Sequence, residues 1–512
     1  MNRGKLAIKN SSISFAAHIL QMILQFITRS FFIRYLGVEL LGLSSTFTSL
    51  LSTLSLAELG FQTAVVYDLY APLAKQDHET VSQIVSIYKV IYRVIGVFFI
   101  VASVCCLPVL PYVVNGIEVT NYVRCIFLIQ AANSACTYFL AYKRSILYAD
   151  QHGYLSNLVD MTVNIAAGIL EIILIVYFQN YLYYLLVRVL QTVVGNGIVH
   201  VLCSKRYPYL RHEKIDKNIL KNMLRQVKDI FSGKVAGYIY SSTDSLVISA
   251  FVGTVQVGFL NNYTMITNGV RVLANSITAP IAPMIGNLLA SSQTEQSQIS
   301  IFENYNFVRF LLAGLTVSPV IVLADSFVEM WVGAAYILPA SIVVLLAADL
   351  YIHIIHSSCC DYITGSGLFE LDKKISMAGA AANIITSVML AMRIGVPGVL
   401  FGTVFSQMIF WVVRSFGTYK HCFHVLGREY FKYWVKQIFY LAVFTGTCFL
   451  QKSIYCALHM DTPVLRFVLG AILCEIVFLG LALVFCVWMP EERTLLSFAY
   501  QSIRGLWKRN AR

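Results

Sequence analysis

The stretch Tyr35-Leu-Gly37-Val-Glu-Leu-Leu-Gly42-Leu43 joins the first two long apolar segments of this chain, and it has a counterpart further along. The counterpart, Phe251-Val-Gly253-Thr-Val-Gln-Val-Gly258-Phe259, joins the seventh and eighth apolar segments. Each copy reads aromatic, aliphatic, glycine, with a second glycine five residues later, and the copies lie 216 residues apart (253 minus 37). Because glycine adopts backbone angles closed to other residues, each copy predicts a turn between two helices.

The two copies indicate an internal duplication of a six-helix set. Because six apolar segments separate the copies, both copies run in the same direction through a membrane. Parallel repeats of this kind are related by an axis along the membrane normal, and substrate sites lie at their interface. We therefore expect two pseudo-symmetric six-helix lobes, with the polar residues of the paired helices facing the interface.

The composition predicts that most of the chain lies in lipid. Of the 512 residues, 58% are hydrophobic and 12% are charged, against roughly 25% charged in a soluble globular protein. So few charges exclude a soluble protein of this size, because they would not cover its surface. The abundance of apolar residues likewise excludes a disordered chain. The sequence predicts an all-α integral membrane protein.

Apolar segments of about 20 residues, enough to span a bilayer, recur about 14 times. The predicted spans are 11–35, 40–67, 84–110, 119–146, 154–178, 181–204, 229–252, 256–290, 304–325, 336–364, 375–394, 396–418, 432–451 and 464–488. Two six-helix lobes plus two C-terminal helices account for them. The predicted domains are an N-terminal lobe (1–204), a basic connector (205–228), a C-terminal lobe (229–420), helices 13 and 14 (421–490) and a basic tail (491–512).

The net charge of +12 agrees with the rule that cytoplasmic loops collect Lys and Arg. Eight basic residues lie from Lys205 to Lys228, whereas the loops on the opposite side contain only Arg393, Lys452 and Arg466. This asymmetry predicts that both termini are cytoplasmic. The same asymmetry explains the positive net charge of the chain. We therefore do not expect nucleic acid as a partner.

The twelve Cys residues fall mostly inside apolar segments and include no CxxC pair. Such cysteines are small buried hydrophobes rather than metal ligands or a disulfide framework. The sequence also contains no DxD, no HExxH and no glycine-rich phosphate loop. We therefore expect no metal, no cofactor and no catalytic residue, and we predict that the chain is not an enzyme.

Polar side chains form a stripe along one face of several paired helices, because they recur at steps of three or four residues. The first span carries Ser14, His18, Gln21, Gln25 and Arg29. The seventh carries Lys234, Tyr238, Ser241 and Ser245, and the eighth carries Asn261, Thr264, Asn268, Arg271 and Asn275. A cation that faces lipid costs roughly 2.5–3.5 kcal/mol, so three cationic stripes predict a wet, positively lined cavity. The alternative is that the stripes hold helices together and that Arg29 snorkels to the interface.

The predicted substrate-binding residues are His18, Gln25, Arg29, Lys234, Asn268 and Arg271. Glu58 and Asp244, both inside predicted spans, are candidates for ion coupling. For each carboxylate the alternative is an internal ion pair that only satisfies charge.

Two motifs resemble those of a known family: Thr28-Arg-Ser-Phe-Phe-Ile-Arg-Tyr-Leu-Gly37 with the following Gly42, and Leu56-Ala-Glu-Leu-Gly-Phe61. With twelve helices in two halves plus two more, the chain is similar over nearly its whole length to the polysaccharide-export (Wzx-type) branch of the multidrug/oligosaccharidyl-lipid/polysaccharide flippase superfamily. The resemblance implies two lobes around a cavity that opens alternately to each face of a bacterial cell membrane. It implies that an undecaprenyl-pyrophosphate-linked oligosaccharide moves from the inner to the outer leaflet for cell-surface polysaccharide synthesis.

In such flippases, cavity arginines on the first and eighth helices are thought to hold the diphosphate, and Arg29 and Arg271 occupy the matching helices. The related lipid II flippases also carry a basic residue in helix 2, where this sequence has Ser, Thr and Glu58. The implied partners are the lipid-linked oligosaccharide and membrane lipids, with other polysaccharide-assembly proteins as further candidates.

Two alternative functions stay open. An ion-coupled drug or cation antiporter of the same superfamily would favour an acidic, aromatic-lined cavity. A membrane-embedded oligosaccharide polymerase or glycosyltransferase would need positioned acid–base or metal-binding groups and a sizeable loop. The longest connector, about 25 residues between spans 6 and 7, is too short for a soluble catalytic domain.

Overall fold

The computed structural model describes residues 3–58, 61–211, 216, 219–225, 227, 243–278, 285, 295–458, 460 and 462–486. Throughout these residues the regular structure is helical, without β-strands. Nine of the described helices are long and apolar enough to cross a membrane. The prediction of an all-α integral membrane protein is confirmed.

The chain divides into two compact units, Met1–Asn261 and Asn262–Arg512. The helices that begin in the first unit are α1 (Arg3–Leu54), α2 (Phe61–Lys75), α3 (His78–Cys106), α4 (Asn121–Leu140), α5 (Arg144–Ala149), α6 (Gly153–Phe178), α7 (Tyr181–Arg206), α8 (243–251) and α9 (Thr254–Thr278), of which α9 continues past Asn261. In this unit α1 packs against α6, and α7 packs between α4 and α6.

The helices of the second unit are α10 (Glu295–Val332), α11 (Ala340–Gly365), α12 (Phe369–Ile394), α13 (Val396–Gly417), α14 (Arg428–Ala457) and α15 (Pro463–Cys486). Here α13 packs against α11 and α12, while α14 and α15 pack together on α10. The aromatic rings of Phe310, Tyr440 and Phe478 meet in its core, which fixes the last two helices to the unit.

Each predicted span contains a described helix, but the second span is broken into two helices. It is predicted to run unbroken from 40 to 67, whereas α1 ends at Leu54, a 3-10 turn follows at Ser55–Glu58, and α2 begins at Phe61. The hydroxyls of Thr53 and Ser55 donate to carbonyls four residues earlier, a bonding pattern that bends helices.

The third span begins earlier than hydropathy predicts, at His78 rather than residue 84. Asp77 caps this helix, because the backbone N–H of Thr80 donates to its Oδ1 at 3.0 Å. A second hydrogen bond, from the Thr80 hydroxyl, lowers the pKa of Asp77. Hydropathy locates the part of a helix that lies in lipid, while the cap sets where the helix starts.

The repeated glycines act as predicted at their turns. Gly37 interrupts α1 with φ of 87°, and Gly253 separates α8 from α9 with φ of 144°. The second glycines, Gly42 and Gly258, lie where the two copies of the motif cross. A Cβ on Gly42 would overlap with the carbonyl oxygen of Thr254, and one on Gly258 would overlap with the carbonyl of Val38. Glycine is therefore required at both positions, since only it permits this backbone approach.

The predicted boundaries of the lobes, the connector and the tail stay a prediction. Most of 212–242 and all of 487–512 lie outside the described residues.

Candidate functional site

Arg29 lies on α1 and reaches a residue from the second copy of the motif. Its Nη2 donates to Oδ1 of Asn261 on α9 at 2.9 Å, and the arginine is half-buried. Among the described residues, no carboxylate lies within ion-pair distance of Arg29. Within the described part of the chain, the direct partner of the guanidinium is thus a neutral amide.

Asn261 also connects Arg29 to the crossing of the two motif copies. Its Nδ2 donates to the hydroxyl of Ser45, which itself donates to the carbonyl of Leu41 at 2.9 Å. Ser45 and Asn261 are 216 residues apart, the offset of the repeat. The predicted polar stripes of the first and eighth spans thus meet, since Arg29 belongs to one and Asn261 to the other.

Arg271 has a different environment from Arg29. Its Nη2 lies 2.6 Å from Oδ2 of Asp349 on α11, with the two side chains 26% and 13% exposed. The charge of Arg271 is thus largely neutralised by Asp349. A phosphate group that bound Arg271 would have to compete with this carboxylate.

The other predicted binding residues differ in how far the structure describes them. Gln25 and Asn268 are exposed, each one helical turn before its arginine. Lys234 and the side chain of His18 lie outside the described residues. Their predicted roles, like those of the other site residues, stay predictions.

Glu58, predicted as an ion-coupling residue, lies in the wall of a cavity of about 360 Å³ in the first unit. Its carboxylate accepts a hydrogen bond from the hydroxyl of Tyr92. Arg144, in the same wall, contacts both carboxylate oxygens of Asp160 at 2.6 and 2.7 Å. Among the described residues, no Lys, Arg or His side chain lies within ion-pair distance of the Glu58 carboxylate. The other candidate, Asp244, lies half-buried on α8.

The described part of the chain contains no cluster of three or more metal-ligating His, Cys, Asp or Glu side chains. The polar groups are hydrogen-bond donors and acceptors spread along helix faces. This arrangement suits the binding of a polar or anionic headgroup in the membrane.

The family described as polysaccharide biosynthesis protein matches this chain over residues 7–289, more than half of its length. This chain belongs to that family. The chain is also 21% identical over 215 residues to the probable low-salt glycan biosynthesis flippase Agl15 of Haloferax volcanii. The alignment covers 40% of this chain and 44% of that relative, so the chain spans less than half the length of the curated relative it matches.

Two solved structures share the fold of this chain. The lipid II flippase MurJ, in an inward closed conformation, has a TM-score of 0.69 and 13% identity, covering 94% of this chain and 99% of its own. An inward-facing multidrug resistance MATE family transporter of the MOP superfamily has a TM-score of 0.64 and 12% identity, covering 80% and 98%. The two structures are described as a flippase and a transporter. Nine described helices are long and apolar enough to cross a membrane, so the chain is a multi-pass membrane protein, as predicted.

The polar pairs between α6 and α7 were not predicted from the sequence. Gln191 donates to Oδ1 of Asn164, and Nε of Arg188 lies 2.8 Å from Oε1 of Glu171. The signal was present, since Arg188, Thr192 and Asn196 recur at steps of four, as the residues of the first stripe do.

Proposed function

We propose that this protein is a flippase for an undecaprenyl-pyrophosphate-linked oligosaccharide. It moves the lipid from the inner to the outer leaflet of a bacterial cell membrane by alternating access, with both termini cytoplasmic. The observation that carries the proposal is Arg29: a guanidinium within an apolar helix, held by the neutral amide of Asn261, with no carboxylate at ion-pair distance among the described residues.

An intramembrane cation without an anionic partner is costly, so its presence supports a role with an anionic ligand. Guanidinium binds phosphate oxygens through two parallel N–H donors, and a diphosphate supplies several such oxygens. The sugars need neutral donors and acceptors, which the Ser, Thr, Asn and Gln residues of the stripes provide. The polyprenyl tail stays in the lipid phase, where burial of its methylenes is favourable.

The relatives support the same class of function. The Haloferax volcanii protein is named as a probable glycan biosynthesis flippase, and MurJ is described as a lipid II flippase. Drug transporters share the fold, but an organic cation would be repelled by Arg29 and would favour a carboxylate there. The uncompensated charge at Arg29 therefore favours the lipid-linked glycan over a cationic drug.

The test is lipid analysis of a strain that lacks this protein. We expect one undecaprenyl-pyrophosphate-linked glycan to accumulate on the cytoplasmic side, and the wild-type protein to clear it. Arg29→Ala should fail to clear it at an unchanged protein level, because the diphosphate loses its charged donors. Arg34→Ala is the matched control, since Arg34 is an exposed arginine on the same helix and should clear the lipid normally. Full clearance by Arg29→Ala, or no accumulation in the deletion strain, would refute the proposal.

We also propose that Glu58 or Asp244 carries the coupling ion. Glu58 has the better supported position, because its carboxylate lines a cavity and contacts Tyr92 rather than a cation. Transport that continued at the wild-type rate after both the proton and the sodium gradient had collapsed would contradict ion coupling.

A further inference from the structure

Arg188 on α7 is a second intramembrane arginine of the first unit, and the proposed function does not yet use it. Its Nε lies 2.8 Å from Oε1 of Glu171, its Nη2 donates to the hydroxyl of Tyr184 at 2.6 Å, and its guanidinium stacks over the Tyr184 ring at 5.1 Å. Arg188 therefore contacts a carboxylate on α6 and a tyrosine one turn earlier on its own helix.

The aromatic side chains between α1 and α7 bring Arg188 and Arg29 into one region. The ring of Phe32, one turn after Arg29, packs edge-on against the rings of Tyr184 at 5.2 Å and Tyr181 at 5.4 Å. Tyr184 in turn lies one helical turn before Arg188. The Phe32–Tyr184 contact therefore joins the helical turn that carries Arg29 to the turn that carries Arg188, and the two guanidinium groups are close enough to interact electrostatically.

The charges of this group do not cancel. Arg29 and Arg188 carry two positive charges, and Glu171, whose side chain is 4% exposed, compensates one of them. The side chain of Arg188 is 43% exposed, so part of it is accessible to a ligand. A guanidinium has five N–H donors, and Glu171 and Tyr184 use only part of them. The pair therefore offers free donors and one net positive charge to an anion.

We propose that Arg29 and Arg188 together form a diphosphate-binding site within the first unit, with Arg188 as its second phosphate-contacting residue and Glu171 as the residue that positions Arg188. The site rests on the proposed function, whose substrate carries two linked phosphates. One guanidinium contacts each phosphate, and the Tyr184 hydroxyl lies between them as a neutral hydrogen-bonding group. The site thereby distinguishes a diphosphate lipid from a monophosphate lipid, which would occupy only one arginine.

Binding of undecaprenyl pyrophosphate, undecaprenyl phosphate and undecaprenol to the full-length protein in lipid nanodiscs tests this site. We expect Arg188→Gln to weaken binding of the pyrophosphate lipid roughly ten- to a hundredfold, the effect of losing hydrogen bonds to a charged group. Binding of the monophosphate lipid should weaken less than threefold, because Arg29 remains. Arg188→Lys should recover only part of the affinity, since an ammonium lacks the two-donor geometry of a guanidinium.

Arg188→Gln leaves Glu171 buried without its cation, so it could lose affinity through misfolding alone. A second variant is therefore needed as a control for folding. The double variant Glu171→Gln/Arg188→Gln removes both charges, and it should fold like the wild type yet still lose pyrophosphate-lipid affinity. The single variant Glu171→Gln keeps Arg188 but frees it, and we expect an affinity loss smaller than that of Arg188→Gln. Arg34→Ala should bind all three lipids as the wild type does.

The outcomes distinguish a failure of the Arg29–Arg188 site from a failure of the proposed function. If Arg29→Ala loses the pyrophosphate lipid while the folded double variant binds it like the wild type, Arg188 is only a structural partner of Glu171 and the inference is wrong. If the wild type does not prefer the pyrophosphate lipid over undecaprenol, the proposed function fails and the site fails with it. Loss of affinity in the folded double variant, with the preference for two phosphates gone, supports the site.

Discussion

Arg29 in the first unit and Arg271 in the second were equivalent candidates in the sequence, but they have different environments in the structure. Arg29 donates to the neutral amide of Asn261, while Arg271 forms an ion pair with Asp349 at 2.6 Å. The same holds for two further arginines of the second unit, Arg309 with Asp361 and Arg414 with Asp372. The comparison shows that the partner of an arginine within a membrane helix can be either a carboxylate or a neutral amide.

The distinction matters because the two kinds of arginine respond differently to substitution. Removing one partner of a buried ion pair leaves the other charge unsatisfied, so the main effect is on stability. Removing an arginine whose partner is a neutral amide leaves no buried charge, so the main effect is on ligand binding. The predictions on Arg271 and Asn261 test whether Arg271 acts mainly in stability and Arg29 mainly in ligand binding. The prediction on Gly42 tests the crossing that places Asn261 beside Arg29.

The largest expected effect is on the stability of Arg271→Met. This substitution leaves Asp349, whose side chain is 13% exposed, without its cation. We expect a loss of about 3 kcal/mol in the free energy of unfolding, measured by thermal unfolding of the detergent-purified protein. Arg29→Met should change the unfolding free energy by less than about 1 kcal/mol, since it removes a hydrogen bond to a neutral amide and leaves no buried charge without its partner.

The double variant Arg271→Met/Asp349→Leu is the control for this effect. It removes both charges, so most of the lost stability should return. The comparison would be wrong if Arg29→Met destabilised the protein as much as Arg271→Met does. A folded double variant that still failed to transport would show that Arg271 contributes to binding as well as to stability.

The next effect concerns the crossing that places Asn261 beside Arg29. Gly42→Ala introduces a Cβ that overlaps with the carbonyl oxygen of Thr254, and we expect a cost of about 1–3 kcal/mol in the free energy of unfolding. Gly197→Ala on α7 is the matched control, because no atom lies within 4 Å of its new Cβ. If thermal unfolding of Gly42→Ala matched that of the control, the close approach of the two motif copies would be disproved.

The smallest expected effect comes from a substitution that gives Arg29 a carboxylate partner, as Arg271 has. Asn261→Asp places a carboxylate at the amide that accepts from Arg29. We expect glycan-lipid clearance to fall about tenfold, equivalent to about 1.4 kcal/mol, because the phosphate must now displace an anion. Thermal stability should stay the same or rise. Clearance at the wild-type rate would mean that the neutral partner of Arg29 has no bearing on transport.

Much of the fold was predictable from the sequence because its signals are local. Hydropathy located the helices, and the paired glycines located the turns at Gly37 and Gly253, since turn geometry depends on residues close in the chain. The end of α1 at Leu54 was missed, because hydroxyl groups that bend a helix do not lower its hydropathy enough to be seen.

The candidate site was predictable only in part. Steps of three and four residues identified Arg29 and Asn261 as members of polar stripes, but not that they contact each other. Arg188 was not predicted although its spacing shows the same pattern, because α7 is not one of the helices that carry the repeated motif. Its contact with Tyr184 is local to α7, whereas its contact with Glu171 appears only when α6 and α7 are packed.

The sequence by itself determined that this chain crosses the membrane many times, that two glycine motifs repeat, and that cations lie within its helices. Each of these depends on composition or on residues a few positions apart. The tertiary structure alone decided which cations are neutralised. Asp349 is 78 residues from Arg271 and Asn261 is 232 residues from Arg29. Contacts between residues so far apart in the chain are set by how the helices pack, which spacing within one helix does not encode.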